Sequence, residues 1–376
     1  MQPRVAYFVH NLSDPAVLRR VRMLHAGGAQ VVVLGFHRGS TVPEQLDGAP
    51  TVSLGQTGDA RFLQRIASVL RHLAADKTVR RTASEATVLL ARNLEMLVLA
   101  AKLKHGRQLV YECLDIHRLL LQDGLFARLI QRIERRLIKR VNLVLTSSPR
   151  FKDDYFSRRR GLSTKVLLLE NKVLALDDTT RRDAKPKPPV APDEPIVIGW
   201  FGMLRCRRTF DMLADLVTRS EGRLEVRVAG IPSDAEFPDF DRAIAAIPGM
   251  TYSGPYRADD LPELYSEIHF IWAIDYFEEG LNSVWLLPNR LYEALENDTV
   301  PIALREVETG CWLLRHGVGH VIDDPAAELP GFFKYLTNER YAAMTTLIRR
   351  LPRSILQTTK SECIELVEEL TGAAQK

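Results

Sequence analysis

A chain of 376 residues with 46% hydrophobic and 26% charged side chains is long enough for two separate cores and ordinary in composition for a globular protein. It contains no run of 18 or more apolar residues, which excludes a spanning helix, and its four dispersed cysteines, none in C-x-x-C spacing, exclude a disulfide framework or a zinc site and fit a reducing cytosol. The net charge of +4 conceals an imbalance: residues 1–186 carry a surplus of +15 and residues 187–376 a balance of −11, so the first half is the one suited to an anionic ligand, a membrane or a nucleic acid.

The opening "MQPRVAYFVH" is strand-like and lacks the charged, apolar and small-residue regions of a signal peptide, so a cytoplasmic protein is expected. "RVAYFV" predicts the first strand. His10, Asn11 and Asp14 follow it, and Asp14 doubles as an N-cap for the helix "DPAVLRRVRMLHAGG", which stops at paired glycines. "AQVVVLGF", "ATVLLAR", "QLVYECL" and "VNLVLTSS" read as further strands. "NLEMLVLAAKLKHG" and "LFARLIQRIERRLIKR" read as the helices between them. Asp115 and His117 end the strand "YECLDIH" in polar groups. If burial raises its pKa, Asp115 can act as a general base; capping or packing is the bland alternative for both residues. Glu112 and Glu170 are equally readable as structural.

The helix "LFARLIQRIERRLIKRV" (125–141) sets Leu125, Leu129, Ile133, Leu137 and Val141 on one stripe, flanked by Arg128, Arg132, Arg135, Arg136, Lys139 and Arg140. Such a helix either packs on the core with its basic residues solvated or lies on anionic lipid heads. In a half this basic, peripheral membrane attachment is the expectation. Nucleic acid is not expected, since no aromatic-studded basic strand or zinc module occurs.

"RRDAKPKPPVAPDEP" (181–195) has five prolines and no apolar periodicity, so it reads as a linker. Strand–helix alternation resumes after it: "PIVIGWFG", "TFDMLADLVTRS", "LEVRVAG", "DDLPELYSEI", "HFIWAI", "NRLYEALEN", "VPIAL". A parallel sheet flanked by helices is therefore expected in each half, with ligands at the carboxyl ends of the strands. The last segment reads as one or two helices broken at Leu351–Pro352.

The second half concentrates groups suited to a nucleoside diphosphate. The glycine turn at Gly202 is followed by Arg205, Arg207 and Arg208, whose guanidinium forks match phosphate oxygens. Gly280, Leu281 and Asn282 form a glycine loop with backbone amides available to phosphate or sugar hydroxyls. The helix opening at Asn289 favours an anion, and Glu293 behind it can accept hydrogen bonds from a ribose.

The turn "G-M-L-R-C-R-R", the loop "E-G-L-N" and "P-N-R-L-Y-E-A-L-E-N-D-T-V-P-I", in that order, resemble the donor half of GT-B glycosyltransferases, near the family 4 bacterial exopolysaccharide enzymes of succinoglycan type. "SDPAVLRRVRMLHAGGAQVVVLGF", "QLVYECLDIH", "LVLTSSPRF" and "LLLENKV" extend the likeness over almost the whole chain. The resemblance implies two Rossmann-like domains facing each other across a cleft: an acceptor domain at 1–186, a donor domain at 187–345, and C-terminal helices at 346–376 crossing back to the first. It implies a metal-independent hexosyltransferase with no cofactor. A nucleotide-diphospho-sugar would be the donor, a lipid-linked saccharide the acceptor, and the inner face of the plasma membrane the place of work.

By the same resemblance Arg205 and Arg208 meet the donor diphosphate, Glu293 the nucleoside and His117 the donor sugar, with His10, Asn11 and Asp14 on the acceptor side. The usual E-x7-E pattern is broken, because Trp285 stands where its first acid belongs and the acids sit earlier, at Glu278 and Glu279. Retention and inversion of the anomeric centre therefore both stay open. A nucleotide-sugar epimerase and a non-catalytic sugar-nucleotide binder are the alternatives.

Overall fold

The computed structural model describes residues 2–38, 41–56, 76–176 and 187–372; residues 181–186 of the expected linker lie outside them. The chain forms two compact units. The first comprises Met1–Glu170, Leu174–Asp178 and Thr358–Lys376, and the second Asn171–Val173 and Thr179–Gln357.

The first unit is built on an eight-stranded sheet of β1 (Arg4–Val9), β2 (Gln30–His37), β3 (Gln45–Leu46), β4 (Ala49–Gln56), β5 (Val88–Arg92), β6 (Gln108–Cys113), β7 (Leu143–Thr146) and β8 (Val166–Leu168). Its order is β3-β4-β2-β1-β5-β6-β7-β8. All pairings are parallel except the short β3–β4 hairpin, which turns at Asp47–Gly48 with both φ angles positive. That hairpin is absent from the sequence expectations. Adjacent residues of β1, Tyr7 and Phe8, are both fully buried. A sheet covered by helices on both faces requires such unbroken apolar runs.

The helix Pro15–Ala26 starts as its sequence predicts: the Asp14 carboxylate accepts from the Ala16 amide at 2.9 Å, and proline fills the first helical position. It ends at Gly27. A Cβ on Gly27 would lie 2.2 Å from the carbonyl oxygen of Cys363, so only glycine allows the helix Lys360–Thr371 to approach this closely. Cys363, Leu366, Val367 and Leu370 of that helix share a core with Val17, Val21 and Leu24. Lys165 and Glu369, 2.6 Å apart, pin its far end.

The return to the first unit begins at Thr358, twelve residues later than expected. The helix Asn338–Arg349 stays in the second unit because Tyr341 and Ile348 belong to that unit's core, and the Arg349 guanidinium binds Asp298 at 2.8 Å.

The second unit has a six-stranded, wholly parallel sheet: β9 (Ile196–Leu204), β10 (Leu224–Pro232), β11 (Met250–Tyr252), β12 (Phe270–Trp272), β13 (Val300–Leu304) and β14 (His320–Ile322), in the order β11-β10-β9-β12-β13-β14. The order reverses on either side of β9, as it does on either side of β1. Open parallel sheets bind ligands at the carboxyl ends of strands beside such a switch point. The helices Phe240–Ala245, Glu308–His316 and Pro325–Lys334, and the π-helix Phe151–Arg159, complete the units and were not anticipated.

The helix Leu125–Ile138 corrects an expectation about its faces. Ala127, Ile130, Glu134 and Ile138 point inward, whereas Leu125 is 87% and Leu129 53% exposed, and Ile133 and Leu137 are half-buried. The buried Glu134 carboxylate explains the rotation, since Tyr155 donates to it at 2.6 Å and Arg160 pairs with it at 2.8 Å. Of the expected stripe, Leu125 and Leu129 thus lie on the side of the helix that its core contacts leave uncovered, Ile133 and Leu137 sit at its margin, and Val141, past the helix end, is buried. Arg140 is not a loose flanking cation either: it donates to the Ala101 carbonyl at 2.7 Å. Among the described residues no helix is long and apolar enough to cross a membrane.

Candidate active-site groups of each unit

In the second unit the predicted residues gather at the carboxyl end of β9. Gly202 pairs in register with Gly230 of β10, and a Cβ on Gly230 would lie 1.8 Å from the Gly202 carbonyl oxygen. With φ of +112° and +139°, the two glycines let the strand ends bend together beneath the turn that carries Arg205.

The Arg205 guanidinium lies over the Phe277 ring at 4.3 Å, and that of Arg208 over the Tyr276 ring at 4.0 Å. Arg208 also forms an ion pair with Glu279. Aromatic faces seat both cations, so little rotamer freedom remains to be lost when an anion arrives. Burial, countered in part by the Arg208 charge, pushes the Tyr276 hydroxyl up to about 12, which keeps it neutral. Arg207 departs from the group: it pairs with Asp211 one helical turn on, at 2.9 Å.

The Gly280 loop is less open than its sequence implies. The Leu281 and Ser283 amides both donate to the Glu278 carbonyl, at 3.0 and 3.3 Å, and the Asn282 side chain is buried. Leu281 is therefore not an amide offered to a ligand. Its donor is committed to the turn that holds Gly280 at φ +72°.

The helix Asn289–Glu296 opens after Pro288 with no side-chain cap, and Asn289 is exposed. Glu293 is the fifth residue of this helix, past the uncapped first-turn amides, so the helix start does not account for its position. Its neighbours do: Tyr265 donates to the Glu293 carboxylate at 3.3 Å, and Arg290 in the turn before reaches the Phe201 carbonyl at 3.3 Å, beside Gly202. Burial, reinforced by the Glu293 charge, raises the Tyr256 and Tyr265 hydroxyls, so both remain donors at neutral pH. Trp285, at the broken E-x7-E position, is half-buried.

In the first unit His10 and Asp14 follow β1. Asp14 caps its helix with one carboxylate oxygen. The other lies 3.6 Å from His10 Nε2 and 3.4 Å from a guanidinium nitrogen of Arg92. Asn11 turns inward on its own loop, its side-chain oxygen accepting from the Ser13 amide at 3.1 Å.

Arg92 and the next residue, Asn93, were not foreseen. The Asn93 amide is 3.3 Å from His10 Nδ1. Arg92 is buried and donates to the Tyr7 hydroxyl at 3.2 Å, which donates in turn to Glu112 at 2.5 Å; Arg20 holds the other Glu112 oxygen at 2.6 Å. Glu112, left open above, is fully buried in this network. Burial pushes its pKa up, but Arg20, Arg92 and the donated hydrogen bonds pull it below the ordinary value. The signal available in sequence was the polar pair Arg92–Asn93 interrupting two apolar segments.

Asp115 and His117 leave β6 at the same edge, with β5 between β6 and β1. Both are exposed, so the burial that the base role of Asp115 calls for is not supplied within this unit. His117 caps the short helix Arg118–Leu121, its Nδ1 accepting from the Leu119 amide at 3.2 Å, which leaves the proton of the neutral ring on Nε2.

No protein-family model matches the chain. It resembles the solved structure of Anabaena HepE in complex with UDP and glucose (TM-score 0.69, 14% identity, 99% of this chain and 100% of that one). It also resembles WaaG, a glycosyltransferase involved in lipopolysaccharide biosynthesis (TM-score 0.66, 14% identity, 98% and 100%). These likenesses show the two-Rossmann GT-B fold. Succinoglycan biosynthesis protein ExoL of Rhizobium meliloti (strain 1021) is 41% identical over 374 residues, which cover 98% of this chain and 93% of that protein. The chain therefore belongs to the ExoL family and is a glycosyltransferase of the GT-B fold.

Proposed function

We propose that the chain transfers a hexosyl group from a nucleoside-diphospho-sugar to a hydroxyl of a lipid-linked saccharide, in exopolysaccharide synthesis. The second unit would hold the donor through Gly202, Arg205, Arg208, Gly280, Asn282, Asn289 and Glu293, and the first the acceptor through His10, Asn11 and Asp14. In the step, the acceptor oxygen bonds to the anomeric carbon while the bond from that carbon to the diphosphate oxygen breaks. The diphosphate leaves with the electron pair, and the hydroxyl proton passes to a base. Arg205 and Arg208 neutralise the charge that develops on the leaving group, so the reaction has no requirement for a metal. His117 meets the donor sugar, and Asp115 is the base if closure around substrates buries it.

One observation carries this reading: two guanidiniums at the switch-point strand are seated on aromatic rings, and one of them grips a carboxylate. A carboxylate is the side chain nearest in charge and geometry to a phosphate. UDP is the ligand of the related HepE structure, so it is the first nucleotide to test. Calorimetry should show UDP binding that weakens in Arg205→Ala and Glu293→Ala; undiminished affinity in both variants refutes the donor assignment.

The uncovered side of the helix Leu125–Ile138 supports work at the inner face of the plasma membrane. It joins exposed Leu125, Phe126 and Leu129 to Arg128, Arg132, Arg135, Arg136 and Lys139. Apolar residues that reach the acyl boundary, ringed by cations for anionic headgroups, suit a lipid-linked acceptor.

A further inference from the structure

Five non-glycine residues among those described have positive φ: Asp47, Asn93, His105, Glu221 and Asp298. Four have a local cause. Asp47, His105 and Glu221 each precede a glycine in a turn, and Asp298 lies just past the end of the helix Asn289–Glu296. Asn93, at φ +70°, is different. It opens the helix Asn93–Leu103 directly at the carboxyl end of β5, beside no glycine and at no helix terminus that calls for a left-handed residue. Strain held where local structure does not demand it points to a role for the side chain.

That side chain reaches 83 residues back in the chain, to His10. An amide nitrogen can only donate, so His10 Nδ1 is the acceptor and the proton of the neutral ring sits on Nε2, the nitrogen facing Asp14. The residue before Asn93 acts on the same pair. Arg92 lies against the Asp14 carboxylate and is itself anchored by Tyr7 and Glu112, which Arg20 braces from the far side. The charges of Arg20, Arg92, Glu112 and Asp14 balance. β5 delivers both residues between the ends of β1 and β6, in the middle of the edge that carries His10, Asp14, Asp115 and His117.

We propose that Arg92 and Asn93 are positioning residues: Asn93 sets the tautomer and orientation of His10, and Arg92 fixes the carboxylate of Asp14. The two partly exposed groups then present one N–H donor and one carboxylate acceptor to the hydroxyls of the acceptor saccharide. This rests on the first unit being the acceptor side.

Asn93→Gly tests the assignment, because glycine accepts φ +70° without strain and removes only the amide. Its thermal midpoint should equal or exceed that of the wild type, and UDP affinity should not change. Nitrogen-15 spectra of histidine-labelled protein, with His10 identified by its loss in His10→Gln, should show a defined Nε2–H tautomer in the wild type and a mixed one in Asn93→Gly. With UDP-hexoses and membrane lipids from a succinoglycan-producing bacterium, kcat/KM for the lipid should fall about tenfold or more, chiefly through KM. Asn93→Asp tolerates the same backbone but accepts instead of donating, so it should favour protonated His10 and move the pH profile of transfer.

A stable Asn93→Gly variant with unchanged His10 signals, or with unchanged KM for the lipid, overturns the proposal. A wild type that binds no nucleoside diphosphate overturns the underlying reading instead, and the spectra still decide whether Asn93 governs His10.

Discussion

In the second unit Glu279 pairs with the Arg208 guanidinium, which on the proposed reading would also bind a donor diphosphate. Binding must exchange one anion for another, and the structure sets the size of that exchange. A charged hydrogen bond to phosphate contributes about 1.5–3 kcal/mol net. The Arg208–Glu279 pair is more than half exposed on both sides, and such pairs are worth about 0.2–1 kcal/mol. With about 0.5 kcal/mol given up in breaking the pair, Arg208 contributes about 1–2.5 kcal/mol, and Arg208→Ala should weaken UDP binding by about 5- to 70-fold. Glu279→Gln should do the opposite: with no carboxylate to displace, UDP affinity should rise, by at most about fivefold. Titration calorimetry at low and physiological salt measures both, and the gain in Glu279→Gln should shrink as salt screens the exposed pair. An Arg208→Ala affinity within twofold of the wild type, or a Glu279→Gln variant that binds UDP more weakly, refutes this account.

Three further outcomes follow from buried and surface charge. Glu112→Gln leaves Arg20 and Arg92 buried without their carboxylate and should cost about 3–5 kcal/mol in urea unfolding at neutral pH. Because the folded pKa of Glu112 is lowered, its stabilisation is present above the ordinary carboxylate value and is lost as pH falls through the lowered one, so the gap between wild type and variant should close only in acid.

Lys187 donates to the Ile268 carbonyl at 3.2 Å and the Thr299 hydroxyl at 2.5 Å, and burial, aided by the Arg349 charge and opposed by Asp298, lowers its pKa from 10.5 to about 7. The unfolded chain keeps that proton to higher pH than the folded one, so stability should rise above pH 7 by up to about 1.4 kcal/mol per pH unit. Urea midpoints that run parallel in wild type and Lys187→Met between pH 7 and 9 would refute it. Charge reversal at Arg128, Arg132 and Arg135 should lower partitioning onto phosphatidylglycerol vesicles by about 1 kcal/mol or more per residue changed, with neutral vesicles unaffected. Equal binding of both proteins to anionic vesicles would remove the helix from the membrane reading.

Strands were the most legible part of the fold, because buried parallel strands must be apolar on both faces and "RVAYFV" or "VNLVLT" leaves no other choice. Faces of helices were less so. Periodicity in 125–141 marked Leu125 and Leu129, but a core-facing Glu134 depends on Tyr155 and Arg160, more than twenty residues away in the chain. The arginines after β9 were readable from their clustering. Their seats on Tyr276 and Phe277 were not, since ring stacking across about seventy residues leaves no local pattern. Asn93 was hidden for a related reason: a single left-handed residue in "LLARNLEML" changes no periodicity, and its partner His10 lies in the loop after β1, 83 residues away.

The helix Lys360–Thr371 closes over Gly27 from the opposite end of the polypeptide. During synthesis, then, the first half emerges with Val17, Val21 and Leu24 still bare and stays incomplete while nearly two hundred further residues are made. The second unit is in effect an insertion within the first, and it can finish folding earlier. A fragment ending at the linker would be an unfinished body with an open seam, and a clipped carboxyl terminus would harm the half of the molecule where the chain began.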